Sequence, residues 1–209
     1  MPVITEIREQ VRKPDRRSVY VDGEYAFSMT ADEVVAHGLA VGDEISDERT
    51  AALIEELEVR RARDAMLRLL GYRARSESEL RGRLREKQFS DAVAVRVIED
   101  LRRMELVDDR RFAESWVQSR LAAGKAGRAR LAWELRSRGV DRRVVEQSLA
   151  DVSEEAQFPR ALELAQRRHE RLRSEEPEAQ RRKIASFLGR RGFSYDTIDR
   201  VLDEILPPG

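Results

Sequence analysis

The sequence contains no cysteine and only two histidines, His37 and His169. Disulfides, thiolate metal sites and cysteine nucleophiles are excluded, and two isolated imidazoles offer little for metal binding. No apolar run approaches the ~20 residues that span a bilayer. The opening MPVITEIREQ lacks the basic stretch and apolar core of a secretory leader. The expectation is a soluble, cytoplasmic chain with no membrane contact. Lysine is scarce: Lys13, Lys87, Lys125 and Lys183 stand against 36 arginines. Catalytic signatures are missing as well. Gly124-Lys125 is preceded five positions earlier by Ser119 rather than glycine and followed by Ala126 rather than Ser or Thr, so it is not a phosphate loop. Neither histidine has a metal-spaced neighbour. Asp108-Asp109 stands where a helix is expected to begin, which reads as a cap. Neither an enzymatic activity nor a cofactor is expected.

What is present is charge, unevenly placed. The 209 residues hold 40 basic and 40 acidic side chains, a net charge of zero. Residues 1–60 carry 7 basic and 14 acidic groups, whereas residues 73–143 carry 19 basic and 12 acidic groups. The middle of the chain is therefore where an anionic partner is to be sought.

The first 45 residues read as β-rich. Ile4 to Val11 alternates, Ser18 to Val21 and Tyr25 to Ser28 are β-prone, and Asp22-Gly23-Glu24 between them suits a hairpin turn. Thr30 and Glu33 form a capping-box pattern that predicts a short helix to about Ala36, stopped by Gly38. From Ser46 onward the apolar period is helical, with a stripe from Ala51 to Leu70 ending near Gly71. Ser76-Glu77-Ser78-Glu79 is a second capping box.

An internal repeat organises the remainder. Leu80, Leu84, Phe89, Ala94 and Ile98 recur as Leu131, Leu135, Val140, Val145 and Leu149, and again as Ile184, Leu188, Phe193, Ile198 and Leu202. Arg138-Gly139-Val140-Asp141 matches Arg191-Gly192-Phe193-Ser194, while the first copy has Lys87-Gln88-Phe89-Ser90. Each copy leaves room for three short helices, a long first one and a helix-turn-helix pair. One copy has little core alone, so neighbours must pack. The expected fold is mainly α: three tandem three-helix, helix-turn-helix-like repeats in an elongated curved array behind a small β-rich module. The expected boundaries are 1–45 for the module, 46–106 for the first repeat with its lead-in helix, 107–152 for the second and 153–209 for the third.

The second helix of each copy is basic. Arg81, Arg83, Arg85 and Lys87 lie in the first, Lys125, Arg128, Arg130, Arg136 and Arg138 in the second, and Arg181, Arg182, Lys183, Arg190 and Arg191 in the third. A row at even spacing wraps the polar side of a helix and reads equally as a solvated face or as a track for nucleic acid or an acidic protein groove. Phe112 and Trp116, four apart, read as core. Trp133 points away from the inward Leu131 and Leu135, and suits either packing on a neighbouring repeat or a partner contact.

Leu106-Val107-Asp108-Asp109-Arg110-Arg111-Phe112-Ala113-Glu114-Ser115-Trp116-Val117, preceded by Arg75-Ser76-Glu77-Ser78-Glu79-Leu80, closely resembles the bacterial RecX family of recombinase regulators. With the three repeats the resemblance covers about residues 60–205, and the strand-rich segment 1–45 looks like the N-terminal extension of longer members. The resemblance implies tandem three-helix repeats and no enzymatic activity. It also implies binding to the RecA filament on single-stranded DNA, lowering its ATP hydrolysis, strand exchange and SOS co-protease activity. Weak binding to free DNA and a monomeric state complete the expectation. Arg81, Arg83, Arg85, Lys125, Arg128, Arg130, Arg136, Arg138, Arg181, Arg182 and Lys183 are the expected partner-binding residues. The competing class is a helix-turn-helix transcription regulator. Against it stand the acidic or mixed third helices (Glu99, Asp100; Glu146; Asp199, Asp203, Glu204) and the lack of dimerisation heptads. A plain helical scaffold for another protein is the third reading.

Overall fold

A computed structural model describes residues 1–124 and 126–207. The chain divides into two compact units, Met1–Leu69 with Leu84–Glu99, and Leu70–Arg83 with Asp100–Gly209.

In the first unit, strands β1 (Ile4–Gln10), β2 (Lys13–Val21) and β3 (Glu24–Thr30) form an antiparallel sheet in the order β1-β2-β3. The register sets Ile7 opposite Val19 and Val19 opposite Phe27, so one face is apolar. With Ile4 and Met29 this face packs on Leu39, Ile45, Leu53 and Leu57. The β-prone stretch from Ser18 understates β2, which begins at Lys13. Its polar half is carried by pairing with both neighbours, and the Arg16 guanidinium adds a bond to the Ser28 carbonyl at 2.8 Å. The capping box at α1 (Ala31–Ala36) forms as the sequence indicates: the Thr30 hydroxyl accepts from Glu33 N–H, and the Glu33 carboxylate accepts from Thr30 N–H. Helix α2 (Asp47–Tyr72) buries Leu53, Leu57, Ala62, Ala65 and Met66 along one stripe and ends one residue beyond Gly71.

Seven of the remaining helices are short to medium, and one is longer: α3 (Glu77–Glu86), α4 (Asp91–Arg103), α5 (Asp109–Ala122), α6 (Arg128–Arg136), α7 (Arg142–Ser148), α8 (Glu154–Glu170), α9 (Pro177–Gly189) and α10 (Tyr195–Ile205). Their starts are set by side chains. Asp108 accepts from the N–H groups of Arg110 and Arg111, Asp141 from Arg143, Ser153 from Ala156 and Ser194 from Thr197, while Pro177 opens α9. Of the fifteen apolar repeat positions all are buried except Phe89, which is half-buried. Within the second unit, α5–α7 enclose a core around Leu131, Leu135, Val145 and Leu149, and α8–α10 one around Ile184, Leu188, Ile198 and Leu202.

The Arg-Gly turns noticed in the repeats have a common structural use. At the start of α6, Gly127 has no side-chain cap, and the N–H groups of Gly127 and Ala129 donate to the carbonyls of Arg191 and Gly192 at 2.8 and 3.1 Å. These bonds satisfy donors left open at one helix start and carbonyls just past the end of α9 together. The approach leaves no room for a Cβ: one built on Gly192 (φ +82) would lie 2.2 Å from the Arg130 nitrogen, and one on Gly127 2.4 Å from the Gly192 oxygen. The same pairing recurs at the start of α3, where the Ser76 hydroxyl donates to the Arg138 carbonyl at 2.6 Å and a Cβ on Gly139 (φ +74) would meet Ser78 at 2.2 Å. In the first copy, Gln88 also holds a positive φ of 63° and is exposed to solvent.

Gly192→Ala combines left-handed backbone strain with a backbone collision, so a loss of about 2–4 kcal/mol is expected on urea unfolding. Gln88→Gly relieves strain alone and is expected to be neutral or to stabilise by up to about 1 kcal/mol. Equal effects at the two positions would show that the close approach of α6 does not constrain Gly192.

Candidate functional site

Between Arg128 and Arg138, Glu134 is the one acidic residue in a row of four arginines. Its side chain is 4% exposed. Arg120 of α5 grips both carboxylate oxygens, with Nε at 2.7 Å from Oε2, Arg130 Nε donates to Oε1 at 3.1 Å, and Trp116 Nε1 donates to Oε2 at 3.0 Å. Burial alone would raise the Glu134 pKa, but the bonds from Arg120 and Trp116 and the charge of Arg120 outweigh it and hold the carboxyl below its usual range. A carboxylate this enclosed requires its cations, and it places them.

Arg138 completes the knot from the other side. It donates to the Glu134 carbonyl at 2.7 Å, and its guanidinium lies 3.7 Å from the centre of the Trp116 ring. Trp116 in turn stacks on buried Phe112 at 6.0 Å. These two aromatics are packing residues, as their spacing indicates. Trp133 differs: it is 53% exposed, stands outside the core and carries the Arg130 guanidinium 4.5 Å from its ring centre.

Beside Glu134 opens a cavity of about 310 Å³ walled by Arg120, Arg130, Arg190 and Arg191. Arg190 donates to Ser186 Oγ. Arg191 donates to the Phe187 carbonyl and lies 3.6 Å from the centre of the Phe187 ring. Its Nε is buried with no hydrogen-bond partner among the described residues. Burial first, then the charges of Arg190 and Arg168, lowers the Arg191 pKa from its ordinary value. Four guanidinium groups thus share one carboxylate, which makes the cavity electropositive.

The other predicted contacts are placed variously. Arg128 is turned inward, its guanidinium bonded to the carbonyls of Leu149 and Val152 past the end of α7. Arg81 pairs with Glu77 at 2.7 Å, and Arg181 ties Asp203 at 2.6 Å and the Leu206 carbonyl at 3.0 Å. Lys183 pairs with Glu175 at 2.6 Å and Arg182 approaches Glu178 at 3.7 Å. Arg83 is exposed and engaged by a neighbour. Arg85 and Arg136 are exposed, and neither side chain bonds or pairs with another described residue. Lys125 lies outside the described residues. Of the predicted set the structure therefore brings Arg130 into a cluster, together with Arg120, Arg190 and Arg191. Arg120 escaped the sequence reading because it lies 14 residues from its partner on another helix; the single acid within the arginine row was the available signal. Among the described residues no group of three or more His, Asp or Glu side chains is arranged to hold a metal ion. No helix among them is long and apolar enough to cross a membrane. What the cluster offers chemically is anion binding.

These features define a helical-repeat protein: a three-stranded sheet leading into tandem three-helix domains. In chain order the matching family descriptions are the regulatory protein RecX N-terminal domain at residues 2–46 and the RecX first, second and third three-helix domains at 62–101, 108–149 and 155–202. The regulatory protein RecX of Clostridium acetobutylicum is 32% identical over 97% of this chain and 95% of its own length. That of Clostridioides difficile is 29% identical over 99% of this chain and 97% of its own. A crystal structure of regulatory protein RecX superposes with a TM-score of 0.73 at 26% identity, covering 97% of this chain and all of that one. The chain belongs to the RecX family of regulatory proteins.

Glu134→Gln removes the charge that Arg120 and Arg130 neutralise. Because both arginines are more than two-fifths exposed, solvent screens the loss, and about 1–3 kcal/mol of stability is expected to go. A depressed native pKa contributes stability above the unfolded value and loses it as pH falls through the native one. The gap between wild type and variant is thus expected to shrink as urea unfolding is repeated from pH 7 down to about 3. A gap independent of pH would show that ionised Glu134 is not what the arginines stabilise.

Proposed function

We propose that this chain is a non-enzymatic cytoplasmic regulator of the RecA recombinase. It binds, as a monomer, to the RecA filament on single-stranded DNA and lowers its ATPase, strand-exchange and SOS co-protease activities, so acting in recombination and DNA repair. The observation that carries this reading is the ordered match of all four RecX domains across residues 2–202. The exposed cations support it. Arg85, Arg136 and the arginine cavity offer unneutralised positive charge to a filament made of DNA and protein. The electrostatics argue less for the helix-turn-helix regulator, because α10, the third helix of the last domain, presents Asp196, Asp199, Asp203 and Glu204 to solvent, a poor surface for a major groove.

The test is the single-stranded-DNA-dependent ATPase of the cognate RecA, titrated with this protein at moderate salt. A fall in ATPase is expected at concentrations that leave the same naked DNA largely unbound in an anisotropy titration. The triple charge reversal Arg85→Glu, Arg130→Glu, Arg136→Glu is expected to raise the half-inhibitory concentration by at least about tenfold. An unchanged ATPase, accompanied by sequence-selective binding to duplex DNA, would replace the recombinase reading with the transcription-regulator one.

A further inference from the structure

The exposed indole of Trp133 and the arginine cavity meet at one side chain. Arg130 lines the cavity and also lies 4.5 Å from the centre of the Trp133 ring. Trp133 leaves more than half its surface open and contributes nothing to the core around Leu131 and Leu135. What sets Trp133 apart from the other exposed aromatics is its place beside the arginine cavity, where an indole offers a π-face next to a site for phosphate. The cavity holds a matching imbalance: four guanidinium groups surround one carboxylate there, and Arg191, disfavoured as a cation first by burial and then by the charges of Arg190 and Arg168, has its Nε buried and unpartnered among the described residues. An oxyanion bound in the cavity would offset its excess of guanidinium charge.

From this juxtaposition we infer that Trp133 and the cavity of Arg120, Arg130, Arg190 and Arg191 form a seat for one nucleotide of single-stranded DNA. The phosphodiester occupies the cavity and accepts from the guanidinium groups. The attached base stacks on Trp133. Glu134 takes the Nε–H and one terminal N–H of Arg120 and the Nε–H of Arg130, which fixes these arginines and leaves their remaining N–H groups for the phosphate. The aromatic half of the seat favours DNA over an acidic protein segment, because a carboxylate needs the arginines but gives Trp133 nothing to stack on. A base on Trp133 has a π-face whatever its identity, so the seat is indifferent to sequence. The inference rests on the reading of the chain as a regulator that meets DNA-bound filament, and it locates where that DNA is touched.

The full chain contains two tryptophans, Trp116 and Trp133, so indole emission reports the seat directly. The protein is titrated at low salt with oligo(dT) of about 20 nucleotides and with an abasic oligonucleotide of the same length, reading tryptophan fluorescence and anisotropy of a labelled strand. Oligo(dT) is expected to quench the emission and the abasic strand to bind without quenching. Trp133→Phe is expected to abolish the quench while keeping affinity within about threefold, since a smaller ring still stacks. Trp133→Ala is expected to weaken binding about tenfold. Arg190→Ala, an exposed position whose side-chain bond to Ser186 lies on the surface, is expected to weaken it several-fold and to reduce the slope of log affinity on log salt by about 0.7. Far-UV circular dichroism identical to wild type establishes that these variants are folded. Quenching that survives Trp133→Phe, or an affinity for oligo(dT) unchanged in both Trp133→Ala and Arg190→Ala, overturns the seat. If those two variants instead lose binding to DNA-free RecA, the cavity recognises acidic protein and the nucleotide assignment is overturned. The seat and the regulator reading fail separately. Wild-type inhibition of the RecA ATPase with unaltered oligo(dT) binding in the variants sinks only the seat. Loss of quenching and affinity in the variants, with no wild-type effect on the ATPase, sinks only the RecA reading.

Discussion

The backbone bonds from the start of α6 to the turn after α9 constrain more of this molecule than any side chain does. A helix start normally needs an Ser, Thr, Asp or Asn cap, and α6 has Gly127 there instead. Its open donors are met by the carbonyls of Arg191 and Gly192. Side chains cannot intrude at such a junction, so the two glycines are dictated by geometry and not by local flexibility. The placement of charge follows. With α6 set against that turn, Arg190 and Arg191 are carried to the same cavity as Arg120 and Arg130, although 60 to 71 positions of sequence separate them.

Gathering four guanidinium groups opposes folding, and the structure shows how that opposition is met. Glu134 takes up Arg120 and Arg130, the rings of Trp133 and Phe187 lie against the guanidinium groups of Arg130 and Arg191, and the Phe187 carbonyl accepts from Arg191. Arginine suits all three uses because its planar fork bonds edgewise while its face stacks, which a lysine ammonium cannot do. The 36 arginines therefore do not form one population. Arg181 and Arg182 of the third domain's second helix are paired with Asp203 and Glu178, whereas Arg85 and Arg136 keep their charge for solvent or a partner.

Elements governed by local rules were legible in the sequence. The capping boxes at Thr30 and Ser76, the hairpin, the change from strands to helices and the fifteen repeat positions all follow from spacing and from donors that must be satisfied near the chain. The length of β2 was not, because its charged half is held by pairing with two neighbours rather than by its own pattern. The family could be recognised from the stretch Leu106 to Val117, whose Asp108 caps α5 and whose Phe112 and Trp116 enter the core. The site was legible only in outline. An arginine row announces positive charge, but which guanidinium turns inward depends on carbonyls and carboxylates supplied by other helices. Arg128 and Arg130 are two residues apart and end in opposite employments for that reason.

In the last domain charge is divided between the second and third helices, and that division bears on which polyanion its surface would accept. In the last domain α10 exposes Asp196, Asp199, Asp203 and Glu204, while the Arg190-Arg191 end of α9 borders the cavity. In the preceding domain the basic second helix, α6, supplies Arg130 and exposed Arg136. A polyanion is therefore drawn to α6 and the end of α9 and repelled from α10, although the chain as a whole has no net charge. A helix-turn-helix reader inverts this arrangement, since it needs its last helix to be the attractive one. The distribution of acids, more than the abundance of arginines, is what argues against a helix that reads a duplex.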